Sequence, residues 1–319
     1  MSHLNQGWVY EDRVSQPRMT LLEYYTHRYT HSSRQEWSDR IKSGAISINH
    51  IPITDPDTPL QAGQRLTYHR SPWIEPDVPF DIAILYEDAD LLMLHKPSGL
   101  PVLPGGGFLE NTVWGWLRRE YETPPIPVHR LGRGTSGVMV LAKTEEARSR
   151  LSKDLRDRKF RKCYRALAAG IPESDCFTVT ARIGKVAYPQ LGYLYAATES
   201  GKEAISHCRV LERDRIPNAT LLEVTIPTGR PHQIRIHLAA AGYPLWGDPL
   251  YGVGGIAIRH GSASLHGQSS IPSDCGYWLH SYELCLIHPT QAQMLTIRSQ
   301  PPALLCLAHE VEKLRDSVD

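Results

Sequence analysis

The chain has 319 residues, a formal net charge of +1 and 41% hydrophobic residues, which suits a globular protein of two domains. No apolar run approaches the roughly 18–20 residues that cross a bilayer, and the opening MSHLNQGWVYEDRV lacks the basic-then-apolar plan of a secretory signal. A membrane partner is therefore not expected, and the expected location is cytoplasmic, or an organelle matrix if a longer precursor exists. The near-neutral total leaves a polyanion partner open, because local charge counts for more than the sum.

The six cysteines, Cys163, Cys176, Cys208, Cys275, Cys285 and Cys306, form no C-x-x-C pair, which argues against a zinc knuckle or redox motif. The fifteen histidines show no H-E-x-x-H spacing. No metal site is expected, and the thiols read as reduced and mostly buried.

Residues 1–18 are polar and read as an extended lead-in. Residues 19–70 read as a small α+β unit. Leu21, Leu22, Tyr25 and Tyr29 share one helix face, Ser32 and Ser33 can cap a second helix from Arg34 to about Ile41, and Ser43-Gly44 ends it. Ala45–Asn49 and Leu60–Tyr68 read as strands. This order resembles the RNA-binding module shared by a small-subunit ribosomal protein, bacterial tyrosyl-tRNA synthetases and many pseudouridine synthases. Ser33, Arg34 and Asn49 fall on its matching positions, while His50 stands where that module most often has glycine. Residues 71–80, with three prolines in SPWIEPDVPF, read as a linker.

Residues 81–319 form the second expected domain. Ile82–Tyr86 and Leu91–Leu94 read as a hairpin turning at Glu87–Asp90, followed by His95-Lys-Pro-Ser-Gly, a flexible Gly105–Gly107 loop and a helix over Asn111–Tyr121. Residues 127–143, PVHRLGRGTSGVMVLAK, join an arginine-bearing, glycine-lined turn to an apolar run of strand length. Thr144 can cap a further helix, with Glu145 and Glu146 at its positive end. From Arg148 to Arg165 there are nine Lys or Arg against two Asp, which reads as a phosphate-contacting surface more than as an ordinary solvated face. Lys162–Gly170 alternates as a strand. Ala181–Lys185 and Gly201–Leu211 read as strands framing a Tyr-rich loop at 187–199. Leu221–His237 reads as a strand, a Thr228-Gly229 turn and a donor-rich helix start. Residues 252–276 read as a surface loop, Leu279–Pro289 as a closing strand, and Pro301 to about Arg315 as a terminal helix.

His129-Arg-Leu-Gly-Arg-Gly-Thr-Ser-Gly137 resembles the signature of the RluA-type RNA pseudouridine synthases, His-Arg-Leu-Asp-Arg-(acidic)-Thr-Ser-Gly. The Lys-Pro-x-Gly segment, Lys162-x-Tyr164-x-Ala166, Thr228-Gly-Arg-x-His-Gln-Ile-Arg-x-His237 and the Gly247-Asp248 to Tyr251-Gly252 stretch extend the resemblance over about residues 80–310. It implies a mixed α+β fold with a mainly antiparallel central sheet and flanking helices. It also implies isomerisation of a flipped-out uridine of ribosomal or transfer RNA, with no cofactor, by a chain expected to act as a monomer. Carried over residue by residue, Arg130 fills the space vacated in the RNA, Tyr164 stacks on the uracil, and Arg235 pairs with the catalytic carboxylate. His129, Arg230, His232 and Gln233 form the surrounding shell. The departure is at the centre: the catalytic aspartate position is Gly132, which offers no nucleophile and leaves Arg235 to find another partner. Asp90, Glu110, Asp154, Asp157 and Asp248 are the carboxylates available to replace it, and Thr135, Ser136 or a thiol are the other groups that could substitute chemically. The alternative is an RNA-binding or RNA-remodelling protein on the same fold without turnover.

Overall fold

The computed structural model describes residues 4–15, 18–29, 32–188, 192–255 and 275–310. The chain divides into two units, Met1–Pro76 with Ala187–Leu194, and Asp77–Val186 with Tyr195–Asp319.

The first unit is built from β1 (Trp8–Arg13), α1 (Leu21–Arg28), α2 (Arg34–Lys42), β2 (Ile46–Ile48), β3 (Ile51–Ile53) and β4 (Arg65–Arg70). Thr20 and Ser33 each close a capping box, with Glu23 and Glu36 reaching back to the cap amide, so orphan N–H groups at both helix starts are satisfied. The strands form one sheet in the order β1-β4-β2-β3. Tyr25, Trp37, Ile41, Ile46 and Leu66 make the core between sheet and helices. Residues 1–18 are thus more than a lead-in. Strand β1 pairs antiparallel with β4 from Trp8↔Arg70 to Arg13↔Arg65, and Asp12 accepts from the Tyr24 and Tyr29 hydroxyls at 2.7 and 2.8 Å. The strand expected from Leu60 begins only at Arg65, because Gly63 turns the chain at φ +85°. Asn49 and His50 both take positive φ, 48° and 70°, as the two-residue turn between β2 and β3 demands. His50 adopts the conformation usual for glycine.

The second unit carries β5 (Ala83–Glu87), β6 (Leu91–Lys96), α3 (Val113–Glu120), β7 (Ile126–Pro127), β8 (Ser136–Ala142), α4 (Glu145–Arg156), β9 (Arg161–Ala169), β10 (Cys176–Val179) and β11 (Ile183–Tyr188). It continues through β13 (Ser206–Ile216), β14 (Ala219–Thr225), α5 (Gln233–Ala240), β15 (Leu279–Ile287) and β16 (Met294–Arg298), while β12 (Gly192–Ala197) pairs with β11 in a two-stranded sheet. The stretch read as a Tyr-rich loop is therefore largely strand. The described strands of the main sheet run β10-β13-β14-β9-β15-β8-β6-β5, with β16 on β15 and β7 on β8. Only the β15–β8 pair is parallel. The architecture is α+β with a mainly antiparallel sheet, as expected.

The apolar run of β8 reflects burial on both faces. Met139 and Leu141 point to the layer with Val113, Leu117 and Leu238 of α3 and α5, while Val138 and Val140 point to Ala147 and Leu151 of α4. Alternate side chains leave a strand on opposite sides, so a strand covered on both must be apolar throughout. Gly137 sits at φ +107° where an added Cβ would lie 2.2 Å from the Ser281 carbonyl oxygen; only glycine lets β8 approach β15 that closely. The helix expected over 301–315 begins instead with a 3₁₀ turn at Ala303–Leu305, and residues beyond 310 lie outside the described part. So does most of the loop expected at 252–276. No helix among the described residues is long and apolar enough to cross a membrane.

Candidate active site

The turn after His129 is held from behind. Nε2 of His129 accepts the Val140 amide at 3.2 Å, and burial, then the positive charge of Lys162, lowers its pKa to about 4. The imidazole therefore stays neutral and serves as an acceptor. Lys96 lies under the turn, fully buried, with its ammonium donating to the carbonyls of Pro97, Leu100 and Arg133 at 2.8, 2.8 and 3.2 Å. The Ser98 hydroxyl donates to the Gly134 carbonyl at 2.8 Å. The Lys-Pro-Ser-Gly segment is thus a clamp that sets the position of residues 132–134.

The Thr228–Gln233 block forms the opposite wall. Gln233 Oε1 accepts both the Thr228 hydroxyl, at 2.9 Å, and the Arg230 amide, at 3.0 Å, and its amide nitrogen donates to the Ile205 carbonyl at 2.8 Å. His232 takes the left-handed conformation, φ 54°, with Nδ1 2.9 Å from the Tyr251 hydroxyl. The buried Lys162 ammonium reaches the Thr228 carbonyl at 3.4 Å, and burial lowers its pKa to about 8.

Between these walls lies a cleft of about 450 Å³, within the range that holds a small ligand or a single nucleotide. Gly132, Arg130, Tyr164, Arg230, His232, Gln233 and Arg235 all line it. His129 stands behind the wall. Arg133, Thr135 and Tyr277 line the cleft as well. Among the described residues no Asp or Glu lines it, and Arg130, Arg133 and Arg230 suit the mouth to a phosphate backbone. Tyr164 is buried in the helix-covered layer, and burial raises its phenol to about 12, so it presents a neutral aromatic face.

Arg235 is not left without a carboxylate. Its Nε and Nη2 donate to Asp248 Oδ2 and Oδ1 at 2.7 and 2.8 Å, with side chains 2% and 0% exposed. Oδ1 of Asp248 also accepts the amides of Leu250 and Tyr251 at 2.8 and 3.1 Å. Asp248 is fully engaged and lies behind the lining, so it positions Arg235 and does not reach into the cleft. The other candidate carboxylates are absent from the lining too. Asp90 accepts the hydroxyls of Thr144 and Thr290, and Asp154 is held by Arg150 and Lys159.

The space beside Gly132 is not empty. A Cβ at that position would meet the Tyr277 hydroxyl at 2.9 Å and Thr135 Oγ1 at 3.4 Å; those two oxygens are 3.1 Å apart. The Arg235 guanidinium lies 4.2 Å from the Tyr277 ring centroid. Nothing in the sequence around Tyr277 signals this placement, since β15 brings it in from far along the chain. The residues matched to the small RNA module have local duties. Ser33 caps α2, Asn49 Oδ1 accepts the Arg65 amide at 3.0 Å, and Arg34 is exposed at the helix start.

The cleft joins a buried tyrosine to an arginine-bearing rim on a mainly antiparallel sheet. The model of the RNA pseudouridylate synthase family matches residues 90–240. An RNA pseudouridine synthase of Synechocystis sp., described as uncharacterized, is 47% identical over 300 residues, covering 92% of this chain and 100% of its own length. The ribosomal large subunit pseudouridine synthase D of Xylella fastidiosa is 35% identical over 287 residues, covering 86% of this chain and 83% of its own. The solved structure of human RNA pseudouridylate synthase domain containing 1 matches with a TM-score of 0.54 at 21% identity, over 76% of this chain and 98% of that one, a likeness of fold. The chain belongs to the RluA-type RNA pseudouridine synthase family.

Proposed function

We propose that this protein is an RNA pseudouridine synthase that takes a flipped-out uridine of ribosomal or transfer RNA into the cleft between residues 130–135 and 229–235. The observation that carries this reading is the cleft itself, in which the buried Tyr164 ring and four arginines converge. Family membership over nearly the whole chain supports it, and a relative named for the ribosomal large subunit supports an rRNA substrate. An aromatic face is how an unstacked base is commonly held. Tyr164 stacks on the uracil, and the exposed Arg130 enters the space the nucleotide leaves. Arg133 and Arg230 contact the flanking phosphates, and the protein acts as a cytoplasmic monomer. The exposed lysines and arginines between Arg148 and Arg161 add contacts that position the RNA without reading its bases, whereas Lys162 and Arg165 of the same basic stretch are buried.

A second reading, an RNA-binding protein on this fold that does not turn over, is favoured by one observation: Gly132 replaces the aspartate and, among the described residues, no carboxylate lines the cleft. Tritium release from RNA labelled at uridine C5, with filter binding on the same RNA, separates the two. Release together with binding supports the synthase, and binding without release supports the second reading. Absence of binding overturns both.

A further inference from the structure

We propose that Tyr277 is the nucleophile of this cleft, taking the place that a carboxylate at residue 132 would hold. The inference rests on the synthase reading above. Its basis is the coincidence of three features at one point. First, Gly132 does not take a positive φ, so its backbone does not call for glycine; what the glycine provides is room. Second, the oxygen nearest that room is the Tyr277 hydroxyl, 2.9 Å from where Cβ would be, on a residue that lines the cleft yet is only 4% exposed. Third, Arg235 faces the Tyr277 ring at 4.2 Å and is fixed there by its two bonds to Asp248.

A guanidinium over an aromatic face is attractive when the ring is neutral and more so when it carries the negative charge of a phenolate. With its Nε and Nη2 held by Asp248, Arg235 still turns its face to the Tyr277 ring, and that face favours the anion on departure. The other oxygens nearby are weaker candidates. Thr135 Oγ1 is an aliphatic hydroxyl hydrogen-bonded to Tyr277 itself. Ser136 Oγ is turned into the sheet against His280 Nδ1 at 2.8 Å. A phenol is far more acidic than either, and tyrosine serves as the nucleophile at an anomeric carbon in other enzymes.

The proposed step is balanced as an isomerisation. Tyr277 Oη bonds to ribose C1′ as the C1′–N1 bond breaks, the electron pair goes to N1, and the phenol proton ends on the uracil nitrogen. The uracil turns over on Tyr164. C5 then bonds to C1′, the Oη–C1′ bond breaks with its pair returning to oxygen, and the C5 proton is taken up by the tyrosinate, from which it exchanges with water.

The test uses the full chain with in vitro transcribed ribosomal and transfer RNAs tritiated at uridine C5. Tyr277→Phe keeps the ring against Arg235 and removes only the hydroxyl. Its tritium release should fall by about 10³-fold or more, while filter binding stays within about threefold of the unsubstituted chain because base stacking and phosphate contacts are untouched. In Gly132→Asp/Tyr277→Phe the obstructing hydroxyl is gone and a carboxylate is supplied, and release should return in part. Release by Tyr277→Phe within about tenfold of the unsubstituted chain would overturn the proposal and leave the synthase reading standing. No release by the unsubstituted chain from RNA it binds would overturn both, and activity of the double variant alone would then identify an intact pocket without a nucleophile.

Discussion

Replacing Asp248 with Asn keeps the shape of the side chain but removes the charge that faces Arg235 and turns an amide N–H₂ toward a guanidinium donor. Arg235 is 2% exposed and its partner 0%, so water cannot take over the lost bonds. Breaking a buried ion pair from one side costs about 3–5 kcal/mol, because a buried charge is left uncompensated. For a domain of this size each kcal/mol is worth about 2–4 °C, so the melting temperature should fall by about 6–20 °C. Differential scanning calorimetry near neutral pH measures this. Arg235→Met in the Asp248→Asn background should cost less than the sum of the two single changes, since the second removes the charge that the first stranded. A drop below about 3 °C for Asp248→Asn would refute the reasoning, because it would mean that the pair is solvated or that Arg235 is held by other groups.

Gly137→Ala should cost about 3 kcal/mol or more, since its methyl would press on the backbone carbonyl of Ser281 at 2.2 Å from a positive-φ position; soluble yield and a urea midpoint report it. Tyr164→Ala should weaken RNA binding by about 1–3 kcal/mol, while Tyr164→Phe, which keeps the ring, should bind RNA as the unsubstituted chain does. Burial lowers the pKa of His280 from 6.5 to about 4, with its Nε2 facing the Ser299 carbonyl and its Nδ1 the Ser136 hydroxyl. The unfolded chain therefore binds this proton first as pH falls. Stability should be full above pH 6.5 and decline toward pH 4 by about 3 kcal/mol, a slope that chemical denaturation of His280→Gln should show reduced. For Asp88, burial acts to raise the pKa, but hydrogen bonds from Tyr86, the Leu91 and Asp90 amides and His288 together lower it to about 2. Asp88→Asn should thus lose about 2 kcal/mol at neutral pH, and its deficit against the unsubstituted chain should shrink as pH falls from 4 toward 2.

Much of this protein is local, and what is local is legible. Thr20, Ser33 and Thr144 cap helices because a short hydroxyl side chain can reach the amide three residues on, whatever lies beyond. The run Val138–Ala142 reads as a strand buried on both faces from its composition alone. The Thr228-Gly-Arg-x-His-Gln block announces a donor-rich turn, since each bond inside it joins residues within five positions. The motifs in 127–143, 162–166 and 228–237 were sufficient to indicate the family, because the residues that shape its cleft sit in three short runs.

Partnership across the chain was decided only by the tertiary structure. That Trp8–Arg13 forms an edge strand depends on β4, more than fifty positions later, and its exposure matches what an edge strand and a free tail have in common. That Ile183–Tyr188 pairs with Gly192–Ala197 is something tyrosines and small residues do not announce. The partner of Arg235 could not be read from spacing, since any of several carboxylates could have met it and only the turn after α5 presents Asp248. Gly132 reads in the sequence as a missing nucleophile. In the fold it is a space filled by the Tyr277 hydroxyl, because β15 lies parallel to β8 and delivers the residues just before it beside the turn that precedes β8. Sequence determines which bonds a segment can make with its own neighbours; which distant side chain occupies a given gap depends on how the strands are ordered in the sheet, and that order is set by burial over the whole chain.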